Sequence, residues 1–235
     1  MHPHPVVSRE AWTAARKELL AKEKEFTRLR DQLSRQRREL PWVEVDKPYV
    51  FDGSDGKATL SDLFEGRTQL IVYHFMFDPA WEAGCKSCSF WADNFNAIVV
   101  HLNHRDASMV AVSRAPYAKL AAYRARMGWG FKWFSSFAND FNRDYHVSHT
   151  PEELTARQGY YNYAWQKPYA SEAPGISVFC RDAGGTVFHT YSCYARGLDM
   201  LNGAYHYLDL LPKGRDEASL PSHSDWLRRH DEYAD

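Results

Sequence analysis

The sequence lacks the features that would place the protein in a membrane, outside the cell or on nucleic acid. Its 235 residues contain no apolar run near the ~20 residues that cross a membrane, and the longest, QLIVYHFMF, suits a buried strand. The N-terminus MHPHPVVSREAW has no basic stretch followed by an apolar core, so we expect no secretory signal. A formal net charge of -1 gives no reason to expect a nucleic-acid or membrane partner. We therefore expect a cytoplasmic protein.

Cysteine is also scarce, with four residues in the chain. In a reducing compartment structural disulfides are rare, and thiols are more often catalytic, metal-binding or simply buried. Two of the four, Cys85 and Cys88, form a CxxC motif within EAGCKSCSFWADNF. The motif has three interpretations: a redox pair, half of a zinc site, or two buried thiols without chemistry.

Hydrophobic residues, at 44%, are sufficient for one large domain, and the 15% of aromatic residues indicate packing by planar side chains. The predicted elements are a strand at QLIVYHFMF, a helix from Cys85 to about Leu102, a strand at SMVAVS, a helix from Pro116 to Met127, an insertion at about 148–173, a hairpin of GISVFCR and TVFHTYS, and a helix over 197–211. The segment FKWFSSFANDFNRDYHV has no clear period. Strands that alternate with helices predict an α/β fold, with a central mixed sheet flanked by helices.

Two segments flank this domain, which we place at 42–212. Residues 1–41 contain a long charged helix, with Ser8 as N-cap and Pro41 as stop. Its apolar residues follow a spacing near 3.5, broken by Lys22 and Gln36, where further apolar residues would fall: Trp12, Ala15, Leu19, Phe26, Leu29, Leu33 and Leu40. The helix is either an arm laid on its own domain or a coiled-coil contact that forms a homodimer. Residues 213–235 form a polar C-terminal tail that we expect to be loosely held.

A CxxC motif at the start of the helix after the first central strand resembles the thioredoxin fold, and the TLSDLF turn before the core resembles its peroxiredoxin-like branch. Further similarity to one bacterial thioredoxin-like family, a domain of unknown function, is carried by LLAKEKEFTRLRDQL, GCKSCSFWAD, VSRAP, GISVF and FHTYSCYARGLDMLNGAYHYLDLLPKGR. The resemblance implies a thioredoxin-like fold and a cis proline beside the nucleophile, at Pro174. A plain turn at Ala173–Pro174–Gly175 is the alternative.

Physical chemistry gives the two cysteines different roles. Unpaired N–H groups at a helix N-terminus stabilise a thiolate, and Lys86 adds a positive charge, so the pKa of Cys85 should fall. Cys85 at the exposed tip would attack, and Cys88, one turn on, would resolve the mixed disulfide. The favoured function is therefore thiol–disulfide exchange with a protein or small-molecule substrate, without a cofactor.

Two other residues are candidates for substrate contact. Arg114 follows the second strand, where ligands of open parallel sheets gather, and either steadies a thiolate or anionic substrate or forms an ion pair. The hairpin register places Cys193 opposite Pro174, as a third thiol near the site or as a passive residue. Cys180, expected in the core, lies roughly 20 Å from Cys193, too far for a disulfide. The aromatic loop 160–169 either covers this end as a lid or packs the insertion.

Three other functions stay open. Copper-delivery proteins of this fold use a cysteine pair and a distant histidine, so His74, His189 or Cys193 could complete a Cu(I) or zinc site. The peroxiredoxin pattern has Thr or Ser three residues before the nucleophile, where this chain has Glu82, which argues against peroxide reduction by that mechanism. The third possible function is that of a non-enzymatic interaction protein, which would bind its partner through the N-terminal helix.

Overall fold

The computed structural model describes residues 4–233, and the chain divides into two compact units between Pro41 and Trp42. The first unit consists of helix α1 (Arg9–Arg38), which has no buried residue among those described. Ser8 caps the helix as predicted, since its Oγ accepts a hydrogen bond from the Ala11 N–H at 3.2 Å.

The second unit is built on a large sheet. The strands within the described residues are β1 (Val43–Glu44), β2 (Val50–Gly53), β3 (Gly56–Thr59), β4 (Gln69–His74), β5 (Ala107–Ser113), β6 (Lys132–Ser135), β7 (Gly159–Tyr161), β8 (Ala164–Gln166), β9 (Gly175–Arg181) and β10 (Val187–Tyr194). Strands β7 and β8 form a separate hairpin, and the others form one sheet in the order β1-β10-β9-β4-β5-β6-β2-β3.

The centre of the sheet confirms the α/β prediction. Strands β4, β5 and β6 are parallel, and the β9–β10 hairpin adds antiparallel strands beside β4. This mixed sheet, with helices between its parallel strands and a terminal hairpin, is a thioredoxin-like fold. Every residue of β5 is buried, as expected at the centre of a parallel sheet. The sequence pattern does not predict β6. Two adjacent residues of this strand, Trp133 and Phe134, are both buried, so the strand lacks the alternation of buried and exposed residues that marks a half-exposed strand.

The helices of the second unit are shorter than predicted. They are α2 (Lys86–Ala92), α3 (Val99–Asn103), α4 (Tyr117–Arg126), α5 (Phe141–Asp144), α6 (Pro151–Ala156) and α7 (Gly203–Leu208). No helix among residues 4–233 is both long and apolar enough to span a membrane.

Two predictions of one continuous helix are wrong, and an asparagine stands at each break. After α2, the Asn94 Nδ2 donates to the carbonyls of Phe90 and Trp91 at 3.0 and 3.1 Å, which competes with main-chain helical bonds. The predicted helix over 197–211 is a 3₁₀ segment followed by α7, because the buried Asn202 accepts from the Tyr205 N–H and starts a new helix.

The predicted hairpin is present, but its register is shifted. Arg181 pairs with Val187 rather than Thr186, and an irregularity between His189 and Tyr191 shifts the pairing again. Cys193 therefore faces Ile176 and not Pro174. A residue count along the chain does not reveal such a bulge, because the extra residue is accommodated only by a local bend. The residues treated as an insertion, 148–173, contain α6 and the β7–β8 hairpin.

The prediction of a loosely held C-terminal tail is wrong. Leu227 is fully buried, and the Arg229 guanidinium donates to the Gly84 carbonyl and to the Tyr123 hydroxyl, each at 2.7 Å. Arg126 also pairs with Asp231 at 2.7 Å. Single apolar residues among polar ones have no period, so a search for periodic patterns does not detect this packing.

Candidate active site around Cys85 and Cys88

The main chain of Cys85 is fixed by three hydrogen bonds. Cys85 caps α2 just beyond β4, and its N–H donates to the Met76 carbonyl at 3.1 Å. Its own carbonyl accepts from the N–H and from the hydroxyl of Ser89, at 3.0 and 2.9 Å. Cys85 is partly exposed, whereas Cys88 is buried and 2% exposed. One cysteine of the pair thus faces a solvent-accessible space and the other lies beneath it.

The electrostatics of the pair favour charge on Cys85. Hydrogen bonds from the Cys88 thiol and from the N–H groups of Cys88 and Ser87 lower the pKa of Cys85 to about 6, against the effect of burial. Burial raises the pKa of Cys88 well above its usual value, and donation to Cys85 raises it further. The donors to the Cys85 sulfur come from Cys88 and Ser87, not from Lys86, the source of positive charge suggested by the sequence.

A cavity of about 490 Å³ opens at the pair. Most of its lining is apolar or aromatic, and comes from four parts of the chain: the sheet and α2, the insertion, the segment after β10, and the C-terminal segment. Its lining residues include Tyr73, Met76, Cys85, Cys88, Trp91, Tyr161, Tyr169, Pro174, Leu198, Tyr205, His223 and Leu227. A volume of this size is typical of small-molecule sites.

The aromatic loop contributes directly to this cavity, which supports the lid interpretation. Tyr161 and Tyr169 both line it. The Tyr161 hydroxyl donates to the Pro174 carbonyl at 2.7 Å and accepts from the Ala195 N–H at 2.9 Å, so it joins two strand ends. The Tyr169 hydroxyl lies 3.5 Å from the Met76 sulfur.

Pro174 lines the same cavity as Cys85, but the cis bond implied by the resemblance is wrong, because the peptide bond before Pro174 is trans. Trans is the favoured form of an X–Pro bond unless its surroundings require otherwise. With the trans bond, the main-chain groups on both sides of it have hydrogen-bond partners. The Ala173 N–H donates to the Val147 carbonyl at 2.9 Å, and the Pro174 carbonyl accepts from the Tyr161 hydroxyl.

Arg114 is held between two carboxylates and lies outside the cavity lining. Its Nε donates to Glu172 at 2.6 Å and its Nη2 to Asp78 at 3.0 Å. The Glu172 side chain is 1% exposed and also accepts from the Ser148 hydroxyl at 2.7 Å. Burial raises the pKa of Glu172, while the Arg114 charge and these hydrogen bonds oppose that shift. Arg114 thereby anchors the segment that leads into Pro174.

The two remaining cysteines, Cys180 and Cys193, do not line the cavity at the reactive pair. Cys193 packs against the apolar cluster that contains Cys88, and its sulfur lies 3.7 Å from the Gly197 carbonyl, outside the cavity lining. Cys180 is only partly buried, so its expected place in the core is wrong. Cys180 is the last residue but one of β9, and the last two residues of this strand are only partly buried.

The candidate metal-binding histidines lie on the other face of the sheet. Neighbouring residues of a strand point to opposite faces, so His74 faces away from Tyr73, which packs with Cys88. His74 Nε2 lies 2.8 Å from the Ser177 hydroxyl, and burial lowers the pKa of His74 to about 3. His189 packs on Tyr145, as His74 does. A site that combines either histidine with the cysteine pair is therefore wrong, and residues 4–233 contain no group of three or more His, Cys, Asp or Glu side chains placed to hold a metal.

Sequence reasoning missed most of the cavity wall. Trp91 and Tyr205 lie within the two predicted helices from Cys85 to about Leu102 and over 197–211, and a helical period does not distinguish a core residue from a cavity wall. In the structure, Trp91 Nε1 donates to the Leu198 carbonyl at 2.8 Å. His223 and Leu227 had no signal, because a long stretch of chain separates them from the CxxC motif.

A family model described as "Bacterial protein of unknown function (DUF899)" matches residues 1–233. The chain belongs to this family. No curated protein matches this DUF899 chain.

Solved structures with a similar arrangement include three peroxiredoxins. Peroxidoxin BcpB from Mycobacterium tuberculosis is 12% identical, with a TM-score of 0.45 over 69% of this chain and 93% of its own. Peroxiredoxin Q from Xanthomonas campestris is 16% identical, with a TM-score of 0.46 over 70% and 92%. A cysteine-to-serine mutant of peroxiredoxin 6 from Arenicola marina is 11% identical, with a TM-score of 0.43 over 66% and 65%. At these identities no activity is carried over to the DUF899 protein.

Proposed function

We propose that this protein is a thiol–disulfide oxidoreductase in which Cys85 attacks the substrate and Cys88 resolves the mixed disulfide. The observation that carries the proposal is that Cys85 caps α2 and lines one cavity together with Cys88, whose thiol acts as a donor that lowers the pKa of Cys85. This contact stabilises the Cys85 thiolate and holds the second thiol beside the sulfur that it must later attack.

The environment of Glu82 supports exchange over peroxide reduction. Glu82 is exposed and lies outside the cavity lining, so it supplies no hydroxyl donor beside the Cys85 sulfur. We retain the cytoplasm as the proposed location, because an oxidised Cys85–Cys88 pair needs a thiol reductant to return to the dithiol, and that compartment provides one.

The pH dependence of alkylation at Cys85 tests the activated thiol. We expect a midpoint near 6, below the usual ~8.5 of a free thiol, when iodoacetamide labelling of the Cys85 peptide is followed by mass spectrometry. In Cys88→Ala the midpoint should rise by about one to two units, because a hydrogen bond to a charged group is worth about 1.5–3 kcal/mol and one pKa unit is about 1.4 kcal/mol.

Cys180→Ala is the matched control for that experiment, because it removes a thiol that does not contact the pair. Its Cys85 midpoint should equal that of the unaltered protein. A midpoint at or above 8.5 in the unaltered protein would contradict the activated nucleophile. An unchanged midpoint in Cys88→Ala would contradict the role of the Cys88 hydrogen bond.

We also propose that α1 pairs with the α1 helix of a second copy. Four apolar residues of α1 recur at intervals of seven: Trp12, Leu19, Phe26 and Leu33. A strict repeat of seven is the period of a coiled coil, whereas a straight helix on a globular surface follows 3.6 residues per turn.

Two neighbouring leucines of α1 provide a matched test of this dimer. Leu19→Lys places a charge in the repeat and should weaken the dimer at least about tenfold, because a buried unpaired charge costs several kcal/mol. Leu20→Lys makes the same change one position away, outside the repeat, and should leave the dimer intact. Sedimentation equilibrium measures both. A monomeric unaltered protein, or equal loss in both variants, would refute the coiled coil.

A further inference from the structure

Three main-chain groups beside Cys85 that could pair with an extended peptide already have hydrogen-bond partners. Extended peptides bind by adding main-chain hydrogen bonds to an exposed strand edge. Here the Met76 carbonyl accepts from Cys85, the Ala173 N–H donates to Val147, and the Pro174 carbonyl accepts from the Tyr161 hydroxyl. These three groups are not available to an added strand, which favours recognition by side chains.

The side chains around the sulfur form aromatic walls. Tyr161 and Tyr169 stand on one side of the cavity, and Trp91 and Tyr205 stand together on another, with ring centroids 5.4 Å apart at 85°. Aromatic side chains pack well against another planar group, offset-stacked or edge-to-face, so these walls favour a flat, apolar guest. A folded protein disulfide needs a flatter and more open surface.

The C-terminal segment forms a further wall. Its residues 222–224 and 227 line the cavity, with Leu227 fully buried. The segment is tied down beyond this wall by Arg229, which donates to the carbonyl of Gly84, the residue before Cys85. Within the segment, Trp226 donates to Glu217 at 2.8 Å. Because it is held by Trp226 and by Arg229, the wall limits the size of what can approach the sulfur.

The charges next to the cavity do not favour an anion. A second cavity of about 460 Å³ shares five lining residues with the first: Trp91, Arg196, Asp199, Tyr205 and His223. Its charged lining comprises Arg196 and Arg215 together with Asp199, Asp209 and Glu217. Both arginines are paired with these carboxylates, Arg196 at 3.1 Å from Asp199 and Arg215 at 2.8 Å from Asp209. An anionic ligand would therefore meet compensated positive charge and an excess of carboxylates.

We propose that the substrate of Cys85 is a small, uncharged disulfide with an aromatic body, and that the C-terminal segment 222–227 is the wall that selects it. The proposal rests on the proposed function and specifies its substrate class. The cavity accepts the flat body between its tyrosine and tryptophan walls, with the disulfide sulfur directed at Cys85.

The exchange balances without a cofactor. The Cys85 thiolate attacks one sulfur of R–S–S–R, the S–S bond breaks, and the first R–S⁻ leaves and takes a proton from water. Cys88 then loses its proton and attacks the Cys85 sulfur, which releases the second R–S⁻ and forms the Cys85–Cys88 disulfide. Two electrons pass from the protein dithiol to the substrate, and an added small dithiol such as dithiothreitol restores the protein.

The test compares single-turnover rates of the reduced full-length protein with four disulfides. They are 2,2′-dithiodipyridine, which is neutral and aromatic; 5,5′-dithiobis(2-nitrobenzoate), which is aromatic and dianionic; glutathione disulfide; and insulin. Each rate is divided by the rate of the same disulfide with free dithiothreitol, which removes differences in intrinsic reactivity. We expect the normalised rate of the neutral aromatic compound to exceed that of the dianion at least tenfold and that of glutathione disulfide at least a hundredfold, with no detectable reduction of insulin.

Variants of the wall extend the comparison. Leu227→Ala should lower the preference for 2,2′-dithiodipyridine over glutathione disulfide at least threefold, whereas Leu210→Ala, at an 80% exposed residue outside the cavity, should not change it. Arg229→Gln, which loosens the wall without altering its lining, should also lower the preference. The rate of Cys85 alkylation by iodoacetamide shows whether a variant has instead changed the reactivity of the Cys85 thiol.

The two proposals fail differently. If all four disulfides react at normalised rates within threefold of one another, or if insulin is reduced as readily as the others, the substrate class is wrong and the exchange function stands. If none reacts and no Cys85–Cys88 disulfide forms, the exchange function itself is wrong.

Discussion

Cys85→Ser is expected to lower the rate of disulfide reduction by on the order of a thousandfold or more, because a serine hydroxyl is not ionised near neutral pH and cannot replace the thiolate. The remaining thiol of the pair, Cys88, is buried and has a raised pKa, so it cannot take over the attack. The measurement is single-turnover reduction of 2,2′-dithiodipyridine, followed by absorbance of the released thiol.

Cys88→Ser should fail at a different step. Cys85 can still attack, but no thiol is present to resolve the product, so a stable adduct of one substrate half per protein should accumulate. Intact-mass spectrometry shows this adduct and its removal by dithiothreitol. Cys180→Ser is the control and should behave as the unaltered protein, because Cys180 contacts the Arg181 carbonyl, away from the cavity. A Cys85→Ser variant with full activity, or a Cys88→Ser variant that turns over normally, would reverse or remove the assigned roles.

Arg114→Met is expected to destabilise the fold by about 3–5 kcal/mol, the cost of removing one partner from a buried ion pair. The Glu172 side chain is 1% exposed, and in this variant its charge would be left without the guanidinium that lies 2.6 Å away. Chemical denaturation at pH 7 measures the loss. Arg67→Met is a suitable control, because Arg67 pairs with the more exposed Glu65 at 3.3 Å and its loss should cost about 1 kcal/mol or less.

The loss in Arg114→Met should also depend on pH in a defined direction. Burial raises the pKa of Glu172, and without Arg114 the pKa should rise further. A carboxyl with a higher pKa in the folded state than in the unfolded state favours folding when protonated. Part of the lost stability should therefore return as pH falls through the raised pKa towards about 4.3, the value in the unfolded chain.

Neutralising Glu172 provides the complementary test. The double variant Arg114→Met/Glu172→Gln should recover part of the stability at pH 7, because no unpaired buried charge remains. Equal stability of Arg114→Met and the unaltered protein would show that the pair does not hold the segment before Pro174. A loss that is independent of pH would show that Glu172 is not the group left uncompensated.

Much of the fold was predictable because it depends on local patterns. The apolar runs of β4 and β5, the cap at Ser8 and the capping box that starts α6 at Thr150 each involve residues close in sequence. The wrong predictions of helix ends and hairpin register have local causes that the periodicity of apolar residues does not reveal. Side-chain hydrogen bonds from Asn94 and Asn202 accompany the breaks in two predicted helices, and a bulge in β10 changed which residue faces Cys193.

The sequence by itself determined the family, the alternation of the central strands β4 and β5 with helices, the terminal hairpin, and the pair of thiols at Cys85 and Cys88, because spacing along the chain encodes these features. Only the tertiary structure decided what surrounds the thiols. It brought Tyr161, Trp91 and Leu227 to one cavity and put His74 on the opposite face of the sheet. The physical reason is that a cavity is formed by packing between distant segments, and the side that a residue faces depends on register and burial rather than on its own type.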